Sequence, residues 1–260
     1  MTRVLTETAN GVARITLDGP ETRNAISDIE TIEALDTAIQ AADADPAVSV
    51  LVLTGTDPAF SSGGNVKQMR SREGLFAGDP DAIAEGYRAS IHRLPRTLSR
   101  VDVATIAAVN GVAVGAGMDV AVMCDLRIAS DRARFAEPFV NLGIVSGDGG
   151  SWFLPRVIGH QRAVELTLTG RMVEAAEALT IGLVLEVVPH DDLMARVDEL
   201  AGTIAAKPPN AVRLAKRLLR MAERTDLDAF LDATAAFQAI THHSDAHREA
   251  MRALFGDDAG

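Results

Sequence analysis

The run NGVAVGAGMDVAVMCD at 110–125 carries two acids in a segment that is otherwise small, apolar and punctuated by glycine. Asp125 falls at its end, where a polar exit is cheap. Asp119 falls in the middle. A carboxylate buried without a partner costs several kcal/mol, so Asp119 needs a purpose. General acid–base work suits it, because a dry site raises a carboxyl's pKa toward neutrality. The same run holds Gly115-Ala116-Gly117, and a second cluster, Ser62-Gly63-Gly64, stands in AFSSGGNV at 59–66. Residues without bulk let backbone N–H groups come close to a ligand. If Gly115-Ala116-Gly117 opens a helix, its free N–H groups and the dipole favour negative charge there. Two such loops can hold one oxygen between two donors, an oxyanion hole. Either cluster alone also serves as a tight turn; the pair favours the ligand.

Two other chemistries fail on spacing. Gly115-Ala116-Gly117 supplies G-x-G, but Val120 stands where a dinucleotide fingerprint needs its third glycine, and several residues separate the strand from the first. Gly143-Ile144-Val145-Ser146-Gly147 has the wrong spacing for a nucleophile elbow. A third glycine-rich loop, GIVSGDGGS at 143–151, contains Asp148, which reads locally as a turn aspartate capping a helix at Gly149-Gly150.

The elements that must position these groups are legible in the patterning. Val4 to Thr8 and Val12 to Leu17 alternate around the turn pair Asn10-Gly11, which predicts a hairpin. Ser27-Asp28-Ile29-Glu30 reads as a capping box opening a helix with Ile29, Ile32, Leu35 and Ile39 on one face. Val48 to Thr54 and Ala104 to Val109 are continuous apolar runs, as in strands buried on both faces. Residues 71–82 read as a mobile loop, followed by a helix to about Arg100. Leu126 to Ala129 is a short strand, and a helix begins near Trp152. From 161 the pattern is helical except for Val184 to Val188. Strands alternate with helices and a helical tail follows, which predicts an α/β core with helices packed outside.

Bulk properties narrow the function. The 260 residues are 47% hydrophobic and 23% charged, with a net charge of −11, which argues against a nucleic-acid surface. The single cysteine, Cys124, excludes an internal disulfide and fits a reducing compartment. The first residues lack the apolar stretch of a signal peptide, and no run reaches membrane-spanning length, so a cytoplasmic protein without membrane partners is expected. His242, His243 and His247 cluster, yet a zinc site needs another close ligand, so no metal is expected. Arg213, Lys216, Arg217 and Arg220 form a basic stripe at helical spacing that reads as a solvated face. Tyr87 and Trp152 are candidates for a pocket wall, with the core as the commoner fate of the tryptophan.

The chain resembles the enoyl-CoA hydratase/isomerase (crotonase) superfamily over nearly its whole length. The resemblance is carried by Arg23-Asn24-Ala25, AFSSGGNV at 59–66, IAAVNGVAVGAGMDVAVMCDLRIAS at 106–130, FAEPFVNLGIVSGDGG at 135–150 and SDAHREAMRALF at 244–255. It implies a superhelix of ββα turns spanning 1–195, which holds the active site, and a C-terminal helical region at 196–260 that builds homotrimers or homohexamers. It implies an acyl-CoA thioester as substrate, with no cofactor besides the coenzyme A that the substrate carries. The thioester oxygen would sit between the N–H groups of Ser62 and Ala116. CoA and acyl contacts would come from Arg23, Ala25, Ala59, Ser61, Gly63, Gly64, Asn65, Val66, Lys67, Gly115 and Phe139. The chain ends in LFGDDAG rather than a basic residue, so no CoA contact is carried over to that end.

The resemblance also answers the question Asp119 raises. Asp119 occupies the position of one of the hydratases' two catalytic glutamates, one methylene shorter. The second position holds Phe139, which does no acid–base work, and Glu137, two residues earlier, is a weak substitute. Asp148 is the better partner, since some members place an acid in that loop. The reading is an enoyl-CoA hydratase with Asp119 and Asp148 as its acid–base pair. Two alternatives stay open: a 3,2-enoyl-CoA isomerase using one carboxylate, and a non-catalytic paralogue that binds acyl-CoA.

Overall fold

A computed structural model describes residues 1–255; the acidic end read at 256–260 lies outside the described residues. β1 (Arg3–Ala9) and β2 (Val12–Asp18) form the expected hairpin, with Asn10 and Gly11 both at positive φ in the turn. α1 (Ile29–Ala44) follows, burying Ile32, Leu35 and Ile39. The expected capping box does not form. Asp28 makes no side-chain cap and instead accepts from Gln68 Nε2 at 3.0 Å, while Ser27 Oγ donates to Gln68 Oε1. Ile29 is exposed, outside the apolar face.

The chain then coils in a repeating pattern. β3 (Val50–Gly55) enters one sheet and β4 (Ala59–Ser61) a second, before α2 (Val66–Ser71), α3 (Pro80–Ala89) and α4 (Arg93–Leu98). The stretch read as a loop at 71–82 holds the last residue of α2, a 3-10 turn and the start of α3, which Asp79 caps by accepting from Ala82 N. β5 (Ala104–Val109), β6 (Val112–Val114) and α5 (Ala116–Met123) make the next turn. β7 (Leu126–Ser130), β8 (Arg134–Ala136), α6 (Gly150–Ile158) and α7 (His160–Thr169) make another. β9 (Val173–Glu174), α8 (Ala175–Thr180) and β10 (Glu186–Val188) close the layered part.

The two sheets order as β1-β2-β3-β5-β7-β10 and β4-β6-β8-β9. Each turn contributes one strand to each sheet. β3 and β5, buried along nearly their whole length, lie between parallel neighbours, which is why they read as unbroken apolar runs. Burying side chains such as Ile15, Leu53, Ile106 and Phe135 contributes roughly 1.5–3 kcal/mol each and fixes the strand ends from which the site hangs.

α9 (Leu193–Ala205), α10 (Pro209–Ala222), α11 (Leu227–His242) and α12 (Asp245–Phe255) form the tail. The basic stripe on α10 is not a solvated face. Arg213 holds Asp43 and the carbonyls of Asp45 and Val48, and Arg217 and Arg220 both reach Asp102. Lys216 is buried, its Nζ on Val103 O at 2.8 Å and Asp125 Oδ2 at 2.7 Å. The stripe therefore docks α10 onto the core. Among the described residues no helix is long and apolar enough to cross a membrane.

Candidate active site

The β6–β8 ladder builds the site. Val114 pairs with Ala136, and Gly115 N donates to Ala136 O at 2.9 Å, so the chain leaving β8 emerges beside the start of α5. Gly115, at φ 53°, turns the chain into that helix, and a Cβ there would lie 3.4 Å from the Phe139 ring. α5 is buried at every position, so Asp119, in its first turn, is carried into the interior. The Gly149-Gly150 turn brings the third glycine loop against it. A Cβ on Gly150 would collide with both oxygens of the Asp119 carboxylate, so glycine is needed for this approach.

Three acids meet there: Asp119, Asp148 and Glu137, all buried. Asp119 Oδ2 accepts from Ser146 Oγ at 3.2 Å. The Glu137 carboxyl also lies in hydrogen-bonding contact with Asp119, and the Gly150 backbone packs against both of its oxygens. Burial pushes Asp119 up to about 6, opposed by these hydrogen bonds. Burial and the Asp119 charge push Asp148 up to about 7. Burial and the two aspartates hold Glu137 well above the ordinary carboxylate range. Tyr87, beside Asp148, is raised by burial and then by that acid. Among the described residues no arginine or lysine forms an ion pair with the three acids. Neighbouring buried acids cannot all ionise together, which suits acid and base roles in one site.

The glycine loops converge as expected, but one donor is misassigned by the sequence. Ser62 N already donates to Arg23 O at 2.8 Å, so it is not free for a ligand. Gly63 N is held by Ser61 Oγ at 3.1 Å. Among the described residues Gly64 N has no acceptor, which leaves it, rather than Ser62 N, available on that loop. Ala116 N opens α5 and is free in the manner of first-turn amides. Gly63, at φ 75°, lets the loops touch: a Cβ there would strike Val114 O and sit 2.9 Å from Ala116 N.

The predicted contact residues divide. Ala25, Ala59 and Ser61 are buried and their polar atoms are committed: Ala25 O to Thr2, Ala59 O to Asn24, and Ser61 Oγ to Asn24 O and Gly63 N. They frame the loop from behind. Arg23 and Lys67 are exposed beside it, and Asn65 caps α2 by accepting from Lys67 N. Val66 joins Met69, Phe76, Ile83, Tyr87 and Ile144 around a largely apolar cavity of about 780 Å³. Gly147, next to Asp148, also lines it, so the cavity opens beside the acids. Phe139 is a buried apolar wall against Gly115. Of the two aromatic candidates, Tyr87 lines the cavity. Trp152 does not, and it is not in the core: it is 54% exposed, with Arg156 stacked 3.6 Å from its ring centroid. Glu137 is the residue the sequence undervalued. The signal was its place one residue beyond β8, directly across the ladder from Gly115.

Comparison with known proteins shows the family and the fold. The family model for enoyl-CoA hydratase/isomerase matches residues 7–255. A crotonyl-CoA hydratase of Syntrophomonas wolfei is 33% identical over 96% of this chain and 94% of its own length. A short-chain-enoyl-CoA hydratase of Clostridium acetobutylicum is 34% identical, covering 89% and 86%. The crystal structure of an enoyl-CoA hydratase from Bacillus anthracis superposes with a TM-score of 0.89 at 30% identity, covering 96% of this chain and 95% of that one.

Proposed function

We propose that this chain, which belongs to the enoyl-CoA hydratase/isomerase family, is an enoyl-CoA hydratase adding water across the 2,3-double bond of an acyl-CoA thioester. The observation that carries the reading is the pairing of Asp119 and Asp148, buried together and both raised, beside an apolar cavity and two free amides. The thioester oxygen sits between the N–H groups of Gly64 and Ala116. Those donors stabilise the enolate more than the ground state, and one such donor is worth ~10²–10³ in rate. Asp119, whose carboxylate is held by Ser146 Oγ, takes a proton from water as the hydroxyl adds to C3. Asp148, protonated near neutral pH, donates its proton to C2 as the enolate collapses. Solvent then restores both protonation states. The chemistry needs no cofactor beyond the coenzyme A of the substrate, and Arg23, Asn65 and Lys67 lie where that group enters.

The same reading includes a homotrimer or homohexamer. α11 and α12 bury no residue, and Leu227, Leu231 and Ile240 are exposed on α11. A cavity of about 620 Å³ remains between α10, α11 and α12. A second copy covering these faces accounts for both, and the mass in solution tests it. A cytoplasmic location fits the buried free thiol of Cys124. The activity is tested by following the conjugated-thioester absorbance. Crotonyl-CoA should lose the band. No loss there, with a rise from a 3-enoyl-CoA, would overturn the hydratase in favour of a one-base isomerase.

A further inference from the structure

Glu137 is 2% exposed, and its Oε1 has no hydrogen-bond partner among the described residues. Asp119 Oδ1 is likewise buried and without a donor. The two side chains are in hydrogen-bonding contact. Two carboxylates hold only acceptors, so that contact would be repulsive and both oxygens would stay unsatisfied. A single proton resolves this by making one acid the donor to the other. Asp119 Oδ2 already accepts from Ser146 Oγ at 3.2 Å, whereas no described residue donates to the Glu137 carboxyl, so Asp119 is set as the acceptor and Glu137 carries the proton, in the direction that burial also favours. Its position is set by backbone: Gly115 N on Ala136 O at 2.9 Å fixes the residue before it, and Asp119 N on Gly115 O at 2.9 Å fixes the residue it faces.

We propose that Glu137 is a positioning residue which stays protonated through turnover and donates to Asp119, aiming that carboxylate and keeping it ionised. Ser146 Oγ, 3.2 Å from Asp119 Oδ2, is the second donor of the same cradle. The titratable groups facing the pair from the packed elements are Asp148 of the third glycine loop, Tyr87 of α3 beside Asp148, and His92, whose Nε2 lies 2.9 Å from Gly147 O. None is a cation paired with the acids, so a donor has to be a neutral group.

The inference rests on the hydratase reading, and its test separates the two. The pH dependence of kcat/KM for crotonyl-CoA is measured for the wild type, Glu137→Gln and Glu137→Ala. The alanine variant removes the donor. Its acid limb should move upward by about one pH unit, as expected for losing one hydrogen bond to a charged carboxylate. Its kcat should fall with KM little changed. The glutamine amide still donates, so that variant should recover most of the loss and return the limb toward its wild-type position. An unmoved limb in the alanine variant, or a glutamine variant as impaired as the alanine one, would overturn the role. Infrared difference spectra give a readout free of activity. At pH 8 the wild type should show the band of a protonated carboxyl that is missing in Glu137→Gln. Its persistence there would assign the proton to another acid and overturn the proposal. A wild type inactive on crotonyl-CoA would overturn the hydratase reading alone, because the infrared comparison still decides where the proton sits.

Discussion

The acid cluster has a cost that can be measured at Asp148. Its side chain makes no hydrogen bond to a described residue, is buried, and is raised from 3.8 to about 7 by burial and by Asp119. A folded-state pKa above the unfolded value means that the folded chain binds the proton more tightly. Stability is then greatest below about pH 4, is lost as pH rises through the interval, and stays lost above about pH 7. Above that point the penalty for the ionised group is about 4 kcal/mol, since each pKa unit is worth about 1.4 kcal/mol. Asp148→Asn keeps the volume and removes the charge. It should raise stability at pH 8 by about 2–4 kcal/mol, part of the full value being returned as the neighbouring acids relax. At pH 4 it should change little. The assay is the urea midpoint of wild type and variant at pH 4, 6 and 8 and at equal protomer concentration. Activity at pH 7 should fall by the ~10²–10⁴ of a lost general acid. An aspartate more stable than its asparagine at pH 8, or a difference that does not shrink on acidification, would refute the reasoning.

Asp119→Asn should lower kcat by ~10²–10⁴ with KM for crotonyl-CoA nearly unchanged, measured by the thioester absorbance. Gly150→Ala places a methyl against both Asp119 oxygens, so kcat should fall at least tenfold and stability by about 1–3 kcal/mol, read by turnover and thermal melting. A fully active Gly150→Ala would show that the carboxylate has room it lacks here. Lys216→Met keeps the aliphatic stem but strips Asp125 and Val103 O of their shared donor, and should cost about 1–3 kcal/mol in urea unfolding without changing kcat.

The strands and the hairpin were legible because each depends on local pattern: alternation for β1 and β2, unbroken apolar runs for β3 and β5. The glycine loops were legible for a similar reason, as only small residues tolerate such approaches. The features that were missed depend on long-range partners. The capping box at Ser27-Asp28 lost to Gln68, about forty residues away, which engages both side chains. The basic stripe on α10 met Asp43 and Asp102, which no spacing rule connects to it. Ser62 looked like a donor until Arg23 O occupied its amide. Glu137 lay two residues from the expected position, and its role follows from the β6–β8 register rather than from the motif.

The two acids of the segment 110–125 show why one is structural and the other chemical. Asp125 takes Thr105 N at 2.7 Å, Thr105 Oγ1 at 2.9 Å and Lys216 Nζ at 2.7 Å, so a cation and two neutral donors account for its charge. Asp119, six residues earlier and deeper, has a serine hydroxyl, a glycine backbone and another acid. A lysine in place of that acid would satisfy Asp119 as fully as Lys216 satisfies Asp125, and would pull its pKa down. The carboxylate would then be too weak a base to take a proton from water. A neutral donor leaves the charge only partly satisfied, which is the condition a base needs. Glu137 meets it: protonated it donates like an amide, and because it is an acid it adds no positive charge.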